Sequence, residues 1–151
     1  MHKKAVDVIL LQETCHAFRY ILPDKFTPFS ETYPSKFYSS SGDNKSDGII
    51  CFVKSQIHIL DGSVSLESGR IDYIQLKHDD FANIVHIYHV YNYTSNTNNS
   101  NTLLQRLILH LTLSEYSSSD SVFIVGDFNI NTNSSAFAPP PPPGRPCSTT
   151  S

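Results

Sequence analysis

The sequence predicts a layered α+β domain, because apolar runs of strand length are accompanied by one amphipathic helix that crosses between two strands. Residues 8–11, 49–53 and 122–125 are uninterrupted apolar runs, a pattern typical of strands that are buried on both faces of a sheet. Three further strands are predicted where apolar and β-branched residues lie between turn signals, at residues 56–60, 70–77 and 82–91.

A single helix is predicted before the last strand. Thr102 and Gln105 match the capping-box pattern, which places the start of the helix at Thr102 and its end near Tyr116. The face expected to pack on a sheet has the spacing i, i+3, i+4, i+7 and consists of Leu104, Leu107, Ile108 and Leu111.

Two segments are predicted to lack regular structure. Residues 15–36 contain Pro23, Pro28 and Pro34, which would interrupt any long helix. Residues 92–101 consist almost entirely of Asn, Ser and Thr, which is typical of an exposed loop.

The length and composition indicate one mildly acidic domain. The 151 residues suffice for one sizeable core, and the net charge of -3 provides no overall basic surface for nucleic acid. The three cysteines lack metal-ligand spacing and no signal peptide is evident, so an intracellular protein, nuclear or cytoplasmic, is expected. No apolar run approaches the roughly 18 residues of a membrane span, so no membrane contact is expected.

Two short motifs place oxygen-bearing side chains where strands are predicted to end. Leu11-Gln12-Glu13-Thr14 closes the first apolar run, and Gly126-Asp127-Phe128-Asn129 closes the last. Strand ends are rigid, so they can hold ligands in a fixed geometry. A hard divalent ion keeps most of its water and needs only one or two carboxylates, which a glutamate at a strand end can supply.

In this order, with strand-rich sequence between them, the two motifs resemble the signature of the endonuclease/exonuclease/phosphatase superfamily, the DNase I-like phosphodiesterases. The resemblance implies a two-sheet α/β sandwich with flanking helices, of which this chain would form a part. It also implies that Glu13 holds magnesium or manganese, that Asp127 organises metal, water or leaving group, and that Asn129 contacts the scissile phosphate.

A third position, Tyr91, matches the family less closely. His89-Val90-Tyr91 resembles the family's Asn-Val-Tyr run, whose tyrosine reaches the phosphate, and this implies a catalytic role for Tyr91. However, Asn92-Tyr93 follows where the family has Ala-Pro or Val-Pro. The alternative is that Tyr91 is only an aromatic residue of the core.

Two other motifs, Ser46-Asp47-Gly48 and Gly69-Arg70, resemble the endonucleases of non-LTR retrotransposons. Arg70 would then contact a backbone phosphate of nucleic acid. The alternative is an exposed, solvated arginine.

Two parts of the family's pattern do not occur in this sequence: the first strand with its Asn, and the Ser-Asp-His run that supplies the catalytic histidine. We therefore expect residues 1–135 to be a partial domain that lacks the first strand and the C-terminal third. Residues 136–151 are expected to form a disordered tail, in which the consecutive prolines from Pro139 to Pro143 are a possible ligand for SH3, WW or profilin-type modules.

The predicted function is the metal-dependent hydrolysis of phosphodiester bonds in nucleic acid, DNA rather than RNA, by an endonuclease of retroelement origin that is impaired in this chain. One alternative is a lipid or inositol phosphate phosphatase of the same fold, although residues 92–101 contain no basic side chain to form a lid. The other is a non-catalytic interaction protein that docks through its proline-rich tail.

Overall fold

The central strand of the first sheet is buried along its whole length. In the computed structural model, which describes residues 6–14, 31–42, 47–94 and 97–129, this strand is β3 (Ile49–Val53). It pairs in antiparallel fashion with β1 (Val8–Gln12) on one side and β2 (Ser35–Ser39) on the other. Strand β2 was not predicted, and its first two residues correct the expectation that residues 15–36 lack regular structure. It follows Pro34 directly, and a proline is tolerated at the start of an edge strand.

The second sheet contains five strands, listed in chain order: β4 (Ile57–Ile59), β5 (Val64–Glu67), β6 (Ile71–His78), β7 (Ile84–Tyr91) and β8 (Ser121–Asp127). The long strand β6 pairs in antiparallel fashion with β4, β5 and β7. Strands β7 and β8 are parallel, and the connection between them contains helix α1 (Thr97–Leu113). Parallel neighbours require such a crossover, and a helix is its usual form. Strand β5 was not predicted.

The two sheets pack face to face, and α1 covers the outer face of the second sheet. Side chains of both sheets, among them Cys51, Val53, Ile74, Leu76 and Ile87, form the core between them. A second cluster joins Tyr73 and Tyr88 to Leu103 and Leu107 of α1, and a third joins Ile50 and Phe52 to Tyr33 on the outer face of the first sheet. The predicted α+β class with two layered sheets is confirmed.

Helix α1 differs from its prediction at both ends and in its buried face. It begins at Thr97, within the segment predicted as a loop, and ends at Leu113. Thr102 lies inside the helix, where its hydroxyl donates to the carbonyl of Asn98. Leu103 is buried, whereas Ile108, assigned to the packed face, is 61% exposed. The aromatic surface of the second sheet fixes the rotation of the helix, and the sequence of the helix alone does not reveal that surface.

Two strands predicted to be buried on both faces lie instead at sheet edges. Among the described strands, β1 pairs only with β3, and β8 pairs only with β7. Val122, Phe123 and Ile124 of β8 are 40 to 51% exposed. An apolar run is buried only where other elements cover it, and the described part of the chain provides that cover for β3 alone.

Several expectations lie outside the described residues: the proline-rich tail and its docking role, and the irregular structure of residues 15–30. The proposed boundary at residue 135 lies there as well. Among the helices that are described, none combines the length and apolarity needed to cross a bilayer.

Candidate active site at the strand ends

The strand ends named in the sequence analysis meet at one end of the sandwich. Strands β7 and β8 both finish there, because Tyr91 is the register partner of Asp127. Strand β6 begins there, and the Tyr91 amide donates to the Arg70 carbonyl over 2.8 Å. The end of β1 reaches the same place through a side-chain hydrogen bond between Gln12 and Val90.

Glu13 and Tyr91 are in direct contact. The Tyr91 hydroxyl donates to Oε1 of Glu13 over 2.7 Å, although the two residues are 78 positions apart. Glu13 follows the end of β1 with a φ of 54° and is exposed, whereas Tyr91 is buried. The pKa of Tyr91 is raised by burial, by the hydrogen bond to Glu13 and by the charge of that carboxylate. The charge of Arg70 acts in the opposite direction. The hydroxyl therefore stays protonated and orients the carboxylate.

Arg70 lies between two tyrosine rings. Its guanidinium carbon is 4.6 Å from the ring centroid of Tyr91 and 4.4 Å from that of Tyr93. The residue is only 8% exposed, so the alternative of a solvated arginine is wrong. Cation–π contacts on both sides favour a fixed position for the guanidinium.

Asp47 is a buried carboxylate near enough to Arg70 for their charges to interact. Its buried carboxylate accepts hydrogen bonds from the hydroxyls of Ser40 and Ser41 and from the Ser41 amide. Burial acts to raise the pKa of Asp47, but these hydrogen bonds and the charge of Arg70 lower it overall. A Cβ at Gly69 would lie 3.0 Å from the Asp47 carboxylate, and the φ of Gly69 is 72°. The motifs that contain Asp47 and Arg70 thus pack on each other.

Asp127 and Asn129 form a turn rather than a continued strand. Strand β8 ends at Asp127, and Asn129 has a φ of 48°. The Asn129 amide donates to Oδ1 of Asp127 over 2.9 Å, and its side-chain nitrogen donates to the carbonyl of Asn92 over 2.7 Å. The strand geometry therefore does not continue from Asp127 to Asn129. The side-chain nitrogen of Asn129 carries a second hydrogen that can serve a ligand.

Asn92, which the sequence analysis treated only as a departure from the family, organises this turn. It is 1% exposed, and its side-chain nitrogen donates to the carbonyl of Phe128 and to the hydroxyl of Ser100. Its backbone amide donates to the carbonyl of Asp127. The one signal in the sequence for this role was an asparagine directly after a buried strand. A side-chain amide that is buried at such a position is expected to be hydrogen-bonded.

Gln12 is a second residue whose part was missed, although it lies inside a quoted motif. Its side-chain nitrogen donates to the Val90 carbonyl over 2.6 Å and so joins the two sheets. A Cβ at Gly126 would come within 1.8 Å of that carbonyl and 2.8 Å of the Gln12 nitrogen, and the φ of Gly126 is 140°. Only glycine allows this close approach.

A row of buried polar groups lies one layer beneath the site. Asp72 of β6 is the register partner of Ser65 in β5 and of His89 in β7. Asp72 and His89 are nearly inaccessible to solvent, and neither carboxylate oxygen of Asp72 nor Nδ1 of His89 has a hydrogen-bond partner. Burial raises the pKa of Asp72 to about 6, although the nearby Ser39 and Ser65 side chains act to lower it. Burial lowers the pKa of His89 to about 4.

The donor set is suited to a hard divalent ion that keeps most of its water. Glu13 is exposed and uses only Oε1 in its contact with Tyr91, so its other oxygen can face an ion. Asp127 is a second exposed carboxylate at the same end of the sandwich. No group of three or more His, Cys, Asp or Glu side chains suited to a metal occurs in the described ranges.

Solved structures of similar fold were found at low sequence identity. Beta toxin from Staphylococcus aureus has a TM-score of 0.61 at 14% identity, covering 89% of this chain and 56% of that one. D. rerio TDP2 complexed with single strand DNA product has a TM-score of 0.56 at 14% identity, covering 83% and 48%. The human Nocturnin catalytic domain with bound sulfate has a TM-score of 0.51 at 17% identity, covering 84% and 52%. The chain thus spans about half the length of these structures.

No curated protein matches the sequence. A family model does: the one described as the Endonuclease/Exonuclease/phosphatase family matches residues 1–149, almost the whole chain. That description covers enzymes that hydrolyse phosphate esters, and its match agrees with the two-sheet fold and with the strand-end motifs. The chain therefore belongs to the endonuclease/exonuclease/phosphatase family.

Proposed function

We propose that this chain carries the phosphate-binding part of a divalent-metal-dependent phosphodiesterase that acts on nucleic acid. The observation that carries the proposal is the contact of Tyr91 with both a carboxylate and a cation. Its hydroxyl holds Glu13, and its ring lies against the guanidinium of Arg70. Tyr91 thus brings Glu13, which can bind a divalent ion, close to Arg70, whose positive charge can attract the phosphate.

The proposed reaction is the in-line attack of water on a phosphodiester. Arg70 and the second side-chain hydrogen of Asn129 hold the phosphate oxygens, and Asp127 orients the water or the leaving group. A magnesium or manganese ion on Glu13 would offset the negative charge that develops on the phosphate. Tyr91 fixes the rotamer of Glu13, and Asn92 fixes the turn that carries Asn129.

DNA is the proposed substrate, and a retroelement endonuclease is the proposed origin. Support for DNA comes from the fold shared with TDP2, which was solved with a single strand DNA product. Support for the origin comes from the packing of Gly69 on Asp47, which joins the two motifs that resemble non-LTR retrotransposon endonucleases. Flanking genomic sequence with a reverse transcriptase frame would support that origin, and an unrelated frame would contradict it.

The test is the binding of a fluorescent single-stranded DNA oligonucleotide in EDTA, measured by anisotropy. We expect Arg70→Gln to weaken binding about tenfold, because a charge-assisted contact to phosphate contributes roughly 1.5–3 kcal/mol. Lys36→Gln is the charge-matched control, since Lys36 is exposed on β2 and remote in sequence from the strand-end motifs. Equal weakening by both variants, or no binding by the parent, would overturn the proposal.

A further inference from the structure

A cavity of about 290 Å³ adjoins the candidate active site on the side of Tyr93. Its walls come from α1, from the end of β5 and from the segment after β7, and the residues that line it are Glu67, Tyr93, Asn99, Thr102, Leu103 and Arg106. Tyr93 belongs to both places, because its ring also contacts the guanidinium of Arg70 at 4.4 Å. A ligand whose phosphate lies at Arg70 would therefore extend naturally into this cavity.

The lining combines apolar, aromatic and polar side chains. Leu103, which is 2% exposed, is the aliphatic residue of the lining, and Tyr93 supplies its aromatic ring. Asn99 adds an amide and Thr102 a hydroxyl at the side of α1. Aromatic contact together with amide and guanidinium groups is the usual chemistry by which proteins bind unpaired bases.

The charges of the cavity make it less suited to a second phosphate than the surroundings of Arg70, because a carboxylate lines the cavity itself. Arg106 forms an ion pair with Glu67, and both side chains line the cavity. The positive charge of Arg106 is thus already balanced, and the carboxylate of Glu67 would repel an anion. An uncharged group with hydrogen-bond donors and acceptors at its edge fits this pair better.

We infer that this cavity binds a nucleobase of the single strand whose phosphate lies at Arg70, an inference that rests on the proposed function. The base contacts the ring of Tyr93, and its polar edge faces Asn99 and the Arg106–Glu67 pair. The cavity approaches the lower end of the range for small-ligand sites, roughly 300 Å³, which suits one base rather than a larger group.

The experiment compares two fluorescent probes on the 151-residue chain in EDTA: a single-stranded DNA oligonucleotide and an abasic oligonucleotide with the same number of phosphates. We expect the parent to bind the base-containing probe more tightly, on the order of tenfold, because contact of one base with an aromatic ring has that magnitude. Tyr93→Leu and Asn99→Ala should each reduce this preference, and Tyr93→Phe should retain it.

The controls separate the cavity from the phosphate site and from misfolding. Asn101 lies on the same helix as Asn99, is exposed and does not line the cavity. The variant Asn101→Ala should therefore bind both probes as the parent does. Arg70→Gln should weaken both probes alike. If neither probe binds the parent, the proposed function itself fails. If the parent binds both probes equally, or if Asn99→Ala keeps the full preference, only the nucleobase site is overturned.

Discussion

Asp72 and His89 are neighbours across β6 and β7 and respond to pH in opposite directions. The pKa of Asp72 is about 6 in the folded protein against an ordinary 3.8. As pH rises from about 4 to 6, the unfolded chain loses this proton while the folded protein keeps it, so the free energy of unfolding falls. The pKa of His89 is about 4 against 6.5, so stability falls as pH decreases from 6.5 to 4. The two contributions nearly cancel between these limits.

Replacing Asp72 by Asn should remove one of these two contributions. The difference between about 6 and 3.8 corresponds to roughly 3 kcal/mol of free energy of unfolding. We expect Asp72→Asn to match the parent near pH 4 and to be more stable by about 3 kcal/mol at pH 7, measured by urea unfolding across that range. Asp61→Asn, at an exposed position, should follow the parental profile. A difference between Asp72→Asn and the parent that does not change with pH would contradict this assignment.

At the scale of the elements, β8 is the exposed edge of the second sheet. Its run from Val122 to Ile124 is apolar and 40 to 51% exposed, and among the described strands only β7 pairs with it. Unpaired backbone groups beside apolar side chains favour pairing with another chain, and natural edge strands often carry lysine to prevent it.

We therefore expect the chain to self-associate, and Ile124→Lys to shift it toward monomer in analytical ultracentrifugation. Ile108→Lys is the matched control, because Ile108 is equally apolar and 61% exposed but lies on α1. An effect of similar size from both variants would indicate general hydrophobic association rather than pairing at the β8 edge. A monomeric parent would exclude edge pairing altogether.

The elements differ in how far the sequence revealed them. Strand β3 was predicted because five consecutive buried residues give an unambiguous apolar run. Strand β2 was missed because it has only two aromatic side chains and no aliphatic one, and Phe37 and Tyr38 pack on opposite faces. The start of α1 was misplaced because Asn and Ser have weak helix propensity, and contacts such as that of Ser100 with Asn92 are invisible in the sequence.

At the scale of the whole molecule, we expect little or no nuclease activity from these 151 residues. They contain no Ser-Asp-His run, and loss of general-base catalysis typically costs about 10²–10⁴-fold in rate. The measurement is plasmid nicking with magnesium, beside Glu13→Gln and Asp127→Ala. Robust nicking by the parent that both substitutions abolish would show that the catalytic set is complete without that motif.

The positions of Glu13, Tyr91 and Asp127 could be predicted, because Tyr91 and Asp127 end well-marked strands and Glu13 directly follows one. The contacts of these residues could not be predicted, because they involve groups distant in sequence. The side-chain amide of Asn92 donates to the carbonyl of Phe128, 36 positions away. The charge of Arg70 lowers the pKa of Asp47, although the two residues belong to separate motifs. Local pattern reports which face a side chain occupies, whereas such partners follow from the pairing of β7 with β8 and from the docking of the two sheets.

The hydrogen bonds of Gln12 with Val90 and of Tyr91 with Glu13 each close a loop of 78 residues. Contacts of such long range are entropically costly to form and tend to appear late in folding. The contact of Glu13 with Tyr91 therefore exists only after the two sheets have docked, and a partial opening that separates β1 from β7 breaks it while each sheet keeps its own ladder. Exchange of the Gln12 side-chain amide hydrogens, one of which is donated to the Val90 carbonyl across the two sheets, would register that opening as an event distinct from global unfolding. The placement of the Glu13 carboxylate beside Tyr91 is thus a late property of the whole fold rather than of any single element.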